Sequence, residues 1–382
     1  MAYVDTEEKQ KKEEKWRLSR QQIIQHQKKS LLFTPFSVGW VPNTASVAVV
    51  GQYPNNHGAL SFFRLDKGEL DEVVGLRVEH PLKCGTFGHA GQDPATFAVG
   101  DFVGGLRVMD VERLGELTSE RGKVCDLSPA STFHAPHAHG SIINAIDGAR
   151  GVGPPEIATG SRDGGVRVWD ARQPERPVVS LNPADPARAR DCWTVRLGNG
   201  VDPDERVLAA GYDNGDVKLF DLRTQRMVHE MSVSNGVCDL EFDRADIEMN
   251  KLIISCLEGR VRCYDLRTRH PKLGFAYVEE RVSDGTVWCS RALPQNREVF
   301  ISGGGGDLTL CRYQYPPERS LKDQDGLTRG VAGAVEELNK AKIGDQPINA
   351  IDWNRSKEGL LACTSFDQSL RIVLVSKLSL LS

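Results

Sequence analysis

The chain has few of the features that mark metal centres, disulfide scaffolds or membrane spans. Its nine cysteines are an odd number, and none belongs to a C-x-x-C pair, so the spacing typical of zinc sites and disulfide frameworks is missing. No run of 18 apolar residues occurs, which excludes a transmembrane helix. Five cysteines lie inside apolar, strand-like stretches and are interpreted as reduced core residues: Cys84, Cys238, Cys256, Cys263 and Cys363.

Charge of one sign is also scarce. The net charge is −4 over 382 residues, so no overall basic field is available to hold nucleic acid or an acidic membrane. The first 20 residues are densely charged with both signs, and we expect no secretory leader there. We therefore expect a chain that binds neither nucleic acid nor membranes.

A short phrase returns seven times along the chain. In its clearest copy, residues 157–172 (IATGSRDGGVRVWDAR), an apolar run leads into an Arg-Asp-Gly turn and then into alternating residues that end on Trp169 and Asp170. Alternation with period two on both sides of a turn that tolerates positive φ predicts a β-hairpin. The other copies are 97–112, 208–223, 252–267 and 361–374, with degenerate copies at 47–65 and 300–313.

Further strands flank each hairpin. An apolar phrase such as INAIDG (143–148) or CWTVRLG (192–198) precedes it, and a looser strand such as RMVHEMS (226–232) follows it. Each unit therefore has four antiparallel strands, and successive units are 44 to 62 residues apart. Repeats of about 40–45 residues with four strands are typical of propeller blades. Polar insertions at 113–138 and 317–333 account for the longest intervals, and the turn GGGGD (303–307) is one residue short.

The sequence thus predicts an all-β fold, a single seven-bladed β-propeller over residues 21–382 with a charged extension over 1–20. The segment QQIIQHQ (21–27) is predicted to supply the outer strand of blade seven and so to cover an open sheet edge, because residues 376–382 are too irregular. The alternative is that Ile23 and Ile24 end a helix begun in the tail. Within the tail, 7–17 is interpreted as a solvated helix or as a partner-binding helix anchored by Trp16.

One blade carries a polar residue set that could form a hydrogen-bonded chain. The set is His139, Ser161, Asp163 and Trp169. A hydroxyl, an imidazole and a carboxylate also occur in hydrolases, but here the spacing is that of a blade and the buried indole N–H needs a partner. We therefore interpret the set as a structural tetrad.

Several loop phrases closely resemble those of the WD-repeat dynein axonemal assembly factors, over about residues 22–382. The phrases are CGTFG (84–88), INAIDG (143–148), RDCWTV (190–195), AGYDNGDVKLFDLR (210–223), NGVCDLEFDRADIEMNKL (235–252), LPQNRE (293–298) and RGVAGAV (329–335). The resemblance implies a cytoplasmic adaptor, with the cilium or flagellum as a second location. It implies work with a co-chaperone complex associated with heat-shock chaperones, and axonemal dynein heavy chains as clients. We expect this adaptor to be a monomer.

No catalytic or cofactor site is predicted. The run Gly303–Gly306 lacks the Lys-Ser/Thr and the following helix of a phosphate loop. Several histidines are close in sequence, but three lie in or beside a polar insertion and do not converge like metal ligands; they are His80, His89, His134, His137 and His139. Because no nucleophile is paired with a base, we expect no enzyme and no cofactor.

Three hairpins end on aromatic-Asp-x-Arg, with arginines Arg172, Arg223 and Arg267. This ending resembles the signature of propellers that serve as substrate receptors of cullin–RING ubiquitin ligases, and the planar fork of arginine suits an interface. The alternative is that each Arg pairs locally with its own Asp. The ligase receptor is the second function that the sequence allows.

The predicted partner-binding surface comes from the turn position just before the turn acid. That position holds Phe102, Arg162, Asp213, Leu257 and Phe366, and Trp193 and Trp288 begin inner strands near the same rim. Large apolar residues in exposed turns tend to mark interfaces, and aromatic residues often anchor partners. Alternatively, loops of the neighbouring blades shield these side chains.

Overall fold

The computed structural model describes residues 20–88, 96–117, 123–149, 155–173, 175–199, 205–244 and 247–381. These residues form seven four-stranded antiparallel sheets, as predicted. Blade one contains β2 (Thr34–Trp40), β3 (Ser46–Gln52), β4 (Gly58–Asp66) and β5 (Glu69–Val78). Blade two contains β6 (Leu82–Thr86), β7 (Thr96–Asp101), β8 (Leu106–Asp110) and β9 (Ser131–Ala135). Blade three contains β10 (Ile143–Gly148), β11 (Glu156–Ser161), β12 (Val166–Asp170) and β13 (Val179–Leu181).

The remaining blades follow the same order. Blade four contains β14 (Cys192–Gly198), β15 (Val207–Tyr212), β16 (Asp216–Asp221) and β17 (Arg226–Ser232). Blade five contains β18 (Val237–Phe242), β19 (Lys251–Cys256), β20 (Arg260–His270) and β21 (Gly274–Arg281). Blade six contains β22 (Cys289–Leu293), β23 (Asn296–Gly303), β24 (Asp307–Gln314) and β27 (Ala334–Lys342). Blade seven contains β28 (Ile348–Trp353), β29 (Leu360–Ser365), β30 (Ser369–Ser376) and β1 (Gln22–Ser30).

Short elements complete the described part of the chain. They are the hairpin β25 (Ser320–Lys322) and β26 (Thr328–Gly330), helix α1 (Val111–Glu116), and 3₁₀ turns at Ser128–Ala130, Pro186–Arg188 and Leu378–Leu381. Asp110 caps α1 by accepting hydrogen bonds from the backbone N–H groups of Glu112 and Arg113. Within the described residues, none of the helices has the length and apolar character needed to cross a bilayer.

The inner strand of each blade contacts the inner strands of its two neighbours. Strands β2, β6, β10, β14, β18, β22 and β28 follow one another, and β28 contacts β2 again. The core lies between the sheets: one buried cluster joins Val49 of blade one to Ile372 of blade seven. The ring is therefore closed by apolar packing between its first and last blades.

The N-terminal strand closes the ring as predicted. β1 pairs antiparallel with β30, so that Ile23 lies opposite Val375 and Ser30 opposite Ser369, with a bulge between Gln25 and Gln27. The helical alternative for Ile23 and Ile24 is therefore wrong. The predictions for the tail around Trp16 lie outside the described residues.

The two insertions have different outcomes. The segment 317–333 forms the hairpin β25–β26, which packs against β20 of blade five. The segment 113–138 contains most of α1, a 3₁₀ turn and also β9, so it includes the outer strand of blade two as well as an insertion. The short turn of blade six is confirmed, because Gly303 pairs with Leu308 whereas Gly160 of blade three pairs with Val166.

Candidate functional site

The inner strands of six blades carry a β-bulge near their first residues. In blade four, for example, Cys192 pairs with Tyr212 and Thr194 with Gly211, which leaves Trp193 as the extra residue. A bulge bends the strand and re-aims a side chain. The extra residues are Phe36, Lys83, Asn144, Trp193, Cys238 and Asn349. In blade six, Trp288 directly precedes β22.

These seven residues, one from each blade, line a central cavity of about 800 Å³. We call the ring that they form the channel mouth. The inner strands converge on the axis of the propeller, so every bulge presents its side chain to the same space. The sequence reasoning identified Trp193 and Trp288 but missed Phe36 and Lys83. Alignment of the phrases that precede each hairpin would have found Lys83, since Lys83 in LKCGTF corresponds to Trp193 in CWTVRLG, whereas Phe36 begins the less regular phrase FSVGW.

Two channel-mouth residues pack directly against the turn residue of the next blade, and a third approaches its turn residue across Gly236. The ring centroids of Phe36 and Phe102 are 5.6 Å apart, and those of Trp288 and Phe366 are 5.8 Å apart, edge to face. A β-carbon added to Gly236 would lie 2.8 Å from the Trp193 ring and 2.9 Å from Leu257, so Gly236 lies between these two side chains. We call these three the apolar pairs.

The six side chains of the apolar pairs are all half-buried. Neighbouring blades therefore shield them in part, and each keeps a surface open to solvent. Phe366, Trp193 and Trp288 line the cavity directly, whereas Phe102 and Leu257 reach it through Phe36 and Trp193. Val103, beside Phe102, is 50% exposed. Leu32 is 85% exposed and follows Leu31, whose backbone N–H donates to the carbonyl of Gln368 in the blade-seven turn. Val103 and Leu32 thus add exposed apolar surface beside the apolar pairs.

The polar members of the predicted surface lie between the apolar pairs. Arg162 is exposed, and its Nε lies 3.4 Å from Asp191 Oδ2. Asp213 has one buried carboxylate oxygen, Oδ1, with no hydrogen-bond partner among the described residues. Neither residue belongs to the cavity lining.

Lys83 is the unusual charge of the channel mouth. Its Nζ lies 4.6 Å from the centroid of the Phe36 ring, a cation–π distance. Burial lowers the pKa of Lys83 below its ordinary value. In the described part of the chain, no carboxylate forms an ion pair with Lys83. Several other lysines there each pair with a carboxylate.

Deeper in the channel the charges are paired. Arg196 lies 3.6 Å from Asp147, 3.3 Å from Asp239 and 3.1 Å from Glu241. Arg291 pairs with the same Asp239 and lies 3.7 Å from Glu241. Burial would lower the pKa of Arg291, but these carboxylates raise it above its ordinary value. These ion pairs connect the inner strands of four blades, with two arginines facing three carboxylates.

Comparison with known proteins agrees with this architecture. A family model described as "WD domain, G-beta repeat" matches residues 114–170, and one for the WD40 domain of anaphase-promoting complex subunit 4 matches residues 192–245. The protein named dynein axonemal assembly factor 10 from Chlamydomonas reinhardtii is 46% identical over 94% of this chain and 98% of its own length. The chain belongs to the dynein axonemal assembly factor 10 family. The human protein of that name is 44% identical over 94% of this chain and 98% of its own length, and that of Dictyostelium discoideum is 21% identical over 91% and 93%.

In this member of the family, the predicted tetrad needs one correction. His139 Nδ1 lies 3.2 Å from both carboxylate oxygens of Asp163, and its Nε2 lies 2.8 Å from the hydroxyl of Thr159. The indole N–H of Trp169 donates to the same hydroxyl at 3.0 Å. Ser161 is not the bridging residue: its hydroxyl donates to the carbonyl of Ser141 at 3.2 Å.

The hydroxyl at the centre of this network is buried. Burial lowers the pKa of His139, although its bond to Asp163 acts in the opposite direction. Burial would raise the pKa of Asp163, but hydrogen bonds from His139 and from the N–H of Gly140 hold it well below its ordinary value. Thr159 and His139 are buried, so the bridging hydroxyl is out of a substrate's reach.

The aromatic-Asp-x-Arg endings form local ion pairs in two of three cases. Arg172 donates from Nε and Nη2 to Asp170, at 3.0 and 2.7 Å. Arg267 donates in the same way to Asp265 and also lies 4.3 Å from the Tyr315 ring centroid, with 19% of its side chain exposed. Arg223 is exposed, and its backbone N–H donates to Asp221. The three arginines are thus not equivalent, and Arg267 is largely covered.

The glycine-rich run of the sequence lies in a hairpin turn of blade six. The run Gly303–Gly306 forms the turn between β23 and β24, where Gly306 has φ +112° and a β-carbon would lie 2.3 Å from a backbone carbonyl oxygen. Among the described residues, no three His, Cys, Asp or Glu side chains are grouped as metal ligands would be. His89 lies outside the described residues.

Proposed function

We propose that this protein is a non-enzymatic adaptor in the assembly of axonemal dyneins, and that it binds its partners through the channel mouth and the apolar pairs. The family relationship supports the process, because the relatives that match almost the whole chain are named dynein axonemal assembly factors. The three half-buried apolar pairs support the surface, because aromatic side chains at the centre of an interface contribute most of its binding energy. This arrangement is the observation that carries the proposal.

The finer proposal concerns the partners. The adaptor links a co-chaperone complex, which works with heat-shock chaperones, to axonemal dynein heavy chains. This assembly step takes place in the cytoplasm before the dyneins enter the cilium or flagellum. A propeller suits such a task, since its loops lie on a rigid scaffold and can contact two large proteins at once.

The ligase receptor is a weaker alternative. It needs free arginines at the strand ends, and the bidentate pairs of Arg172 and Arg267 with their own aspartates reduce what these side chains can offer a partner. No feature of the described residues favours it over the adaptor.

Affinity capture from ciliated cells tests the proposal. The wild-type protein is compared with the double variant Phe102→Asp/Phe366→Asp, which places a carboxylate in two of the apolar pairs. The matched control is Val73→Asp/Met227→Asp, which alters two apolar residues exposed by 45% and 49% on outer strands. We expect dynein heavy chains and co-chaperone subunits with the wild type and the control, and at least a tenfold loss with the apolar-pair variant Phe102→Asp/Phe366→Asp.

Circular dichroism and thermal unfolding establish that both double variants are folded. Recovery of the partners at the wild-type level by the folded variant Phe102→Asp/Phe366→Asp would remove this surface from consideration. Recovery of cullin-ligase subunits that is lost in Arg223→Ala/Arg267→Ala would replace the adaptor by the ligase receptor.

A further inference from the structure

We propose that the channel mouth binds an extended segment of a partner protein whose Asp or Glu side chain pairs with Lys83 while apolar side chains on both sides of that acid contact the apolar pairs. This inference rests on the function proposed above, because it names the chemistry that the same surface selects. Nothing in the similarity to other proteins identifies such a segment.

Lys83 places a positive charge at the channel mouth. The side chain is half-buried at the rim of the central cavity, and the described residues offer it an aromatic ring but no carboxylate. A buried cation without a counter-ion is costly, and its pairing with an anion in a partly desolvated site is worth more than at the open surface. Arg196 and Arg291 in the same channel pair with three carboxylates between them, whereas Lys83 has no carboxylate partner among the described residues. Lys83 is therefore the position that a negative charge from a partner would complete.

Around the ring, Lys83 lies between two of the apolar pairs. A channel-mouth residue of one blade and a turn residue of the next form each apolar pair, and Lys83 with Arg162 occupies the two equivalent positions of blades two and three. The pair Phe36 and Phe102 lies on one side of this basic position, and the pair Trp193 and Leu257 lies on the other, beyond the position that Asn144 and Asp213 occupy. The exposed part of Arg162 adds positive charge, although Asp191 compensates it in part.

The positions of the apolar pairs determine which kind of ligand would fit. Apolar anchors on both sides of the cation require a chain that continues in both directions past the acid, so the carboxylate belongs to a side chain rather than to a C-terminus. The cavity of about 800 Å³ is large enough for several side chains of such a segment. The overall charge of −4 does not favour a polyanion such as nucleic acid.

The test begins with a phage-displayed library of random twelve-residue peptides, selected on the immobilised full-length protein. We expect peptides with one Asp or Glu flanked by aromatic or large aliphatic residues. Selection on Lys83→Met should lose the preference for the acid, and selection on Lys83→Glu should replace it by a preference for Lys or Arg. An unchanged consensus in Lys83→Glu, or the absence of any acid in the wild-type consensus, would overturn the proposal.

The matched control is Lys218→Met. Lys218 also lies over an aromatic ring, 5.2 Å from the Tyr212 centroid, but Glu230 compensates its charge at 3.6 Å. The acid preference should survive this substitution. Thermal unfolding shows whether each variant is folded. If Lys83→Glu does not fold, the test relies on Lys83→Met and on the peptide-binding measurement described next.

The quantitative measurement uses one selected peptide and its Glu→Gln analogue. Loss of a charge-assisted hydrogen bond should weaken binding to the wild type by about tenfold or more, whereas Lys83→Met should bind both peptides equally. Equal binding of the two peptides to the wild type would overturn the inference. If Phe102→Asp/Phe366→Asp still lost its cellular partners, the proposed adaptor surface would stand without it.

Discussion

The indole of Trp288 in blade six packs edge to face against the ring of Phe366 in blade seven, with centroids 5.8 Å apart. Phe36 and Phe102 are also in contact between blades one and two, with their ring planes tilted by 40°. Each pair brings a channel-mouth residue of one blade to a turn residue of the next, so each is produced by the closed ring and not by one repeat.

If Trp288 and Phe366 form one anchor, their contributions to partner binding should not add. We expect Trp288→Ala and Phe366→Ala each to weaken binding of the captured partner, and the double variant to bind little worse than the weaker single variant. Residues in contact are coupled, whereas distant ones are additive. Titration of the purified partner against the four proteins measures this coupling.

The control for this comparison of single and double variants combines Trp288→Ala with Phe102→Ala, because Phe102 belongs to a different apolar pair. The losses of binding free energy caused by these two substitutions should add. Additive losses for Trp288 and Phe366 would show that the two rings act separately.

Thr159 should matter more for stability than Ser161. Thr159→Val keeps the shape of the side chain but leaves the indole N–H of Trp169 and one nitrogen of His139 without their partner in a buried site. An unsatisfied buried polar group costs about 1–3 kcal/mol. We therefore expect a clear decrease in the urea midpoint of Thr159→Val and a smaller one in Ser161→Ala.

That comparison separates the two residues by role, since both side chains are fully buried hydroxyls on the same strand. A larger loss in Ser161→Ala than in Thr159→Val would contradict the bridging role given to Thr159.

The pH dependence of unfolding should report His139. Its pKa in the folded protein is lowered below the ordinary value of 6.5 by burial, so the unfolded chain takes up a proton first as the pH falls. The free energy of unfolding should therefore decrease as the pH falls below about 6.5. Asp163, whose pKa is also lowered, adds a further loss in more acidic solution, below about 3.8.

Urea unfolding of wild type and His139→Gln at several pH values between 5 and 8 measures this effect. The variant is less stable throughout, but the gap between the two proteins should narrow as the pH falls below 6.5. His134 and His229, whose pKa values burial also lowers, are present in both proteins. Parallel curves would show that His139 does not titrate as inferred.

The closing strand offers two adjacent isoleucines with opposite environments. Ile23 is partly buried against the cluster that includes Val373 and Val375, whereas Ile24 is 46% exposed. We expect Ile23→Asp to lower the free energy of unfolding by about 1–3 kcal/mol and Ile24→Asp to change it little. Urea unfolding and sensitivity of residues 20–30 to limited proteolysis provide the measurements, and equal effects of the two substitutions would contradict the register of β1.

The sequence by itself determined the repeated hairpins, the seven blades and the closing strand. These follow from local chemistry: apolar residues with period two form half-buried strands, and Gly or Asp supplies the turn between them. The segment QQIIQHQ was identifiable because six units had their own outer strand and the seventh lacked one. The large turn residues Phe102 and Phe366 could also be identified, because their position in the repeat places them in the turn.

Only the tertiary structure decided which side chains meet. Thr159 and Ser161 are two residues apart on one strand, and the register that sets Ile157 opposite Trp169 determines which hydroxyl lies beside the indole. Phe36 meets Phe102, and Lys83 meets an aromatic ring but no carboxylate of the described residues, because the ring brings loops from separate blades to one mouth. Such contacts depend on the angle and distance between neighbouring sheets, and no single repeat encodes either quantity.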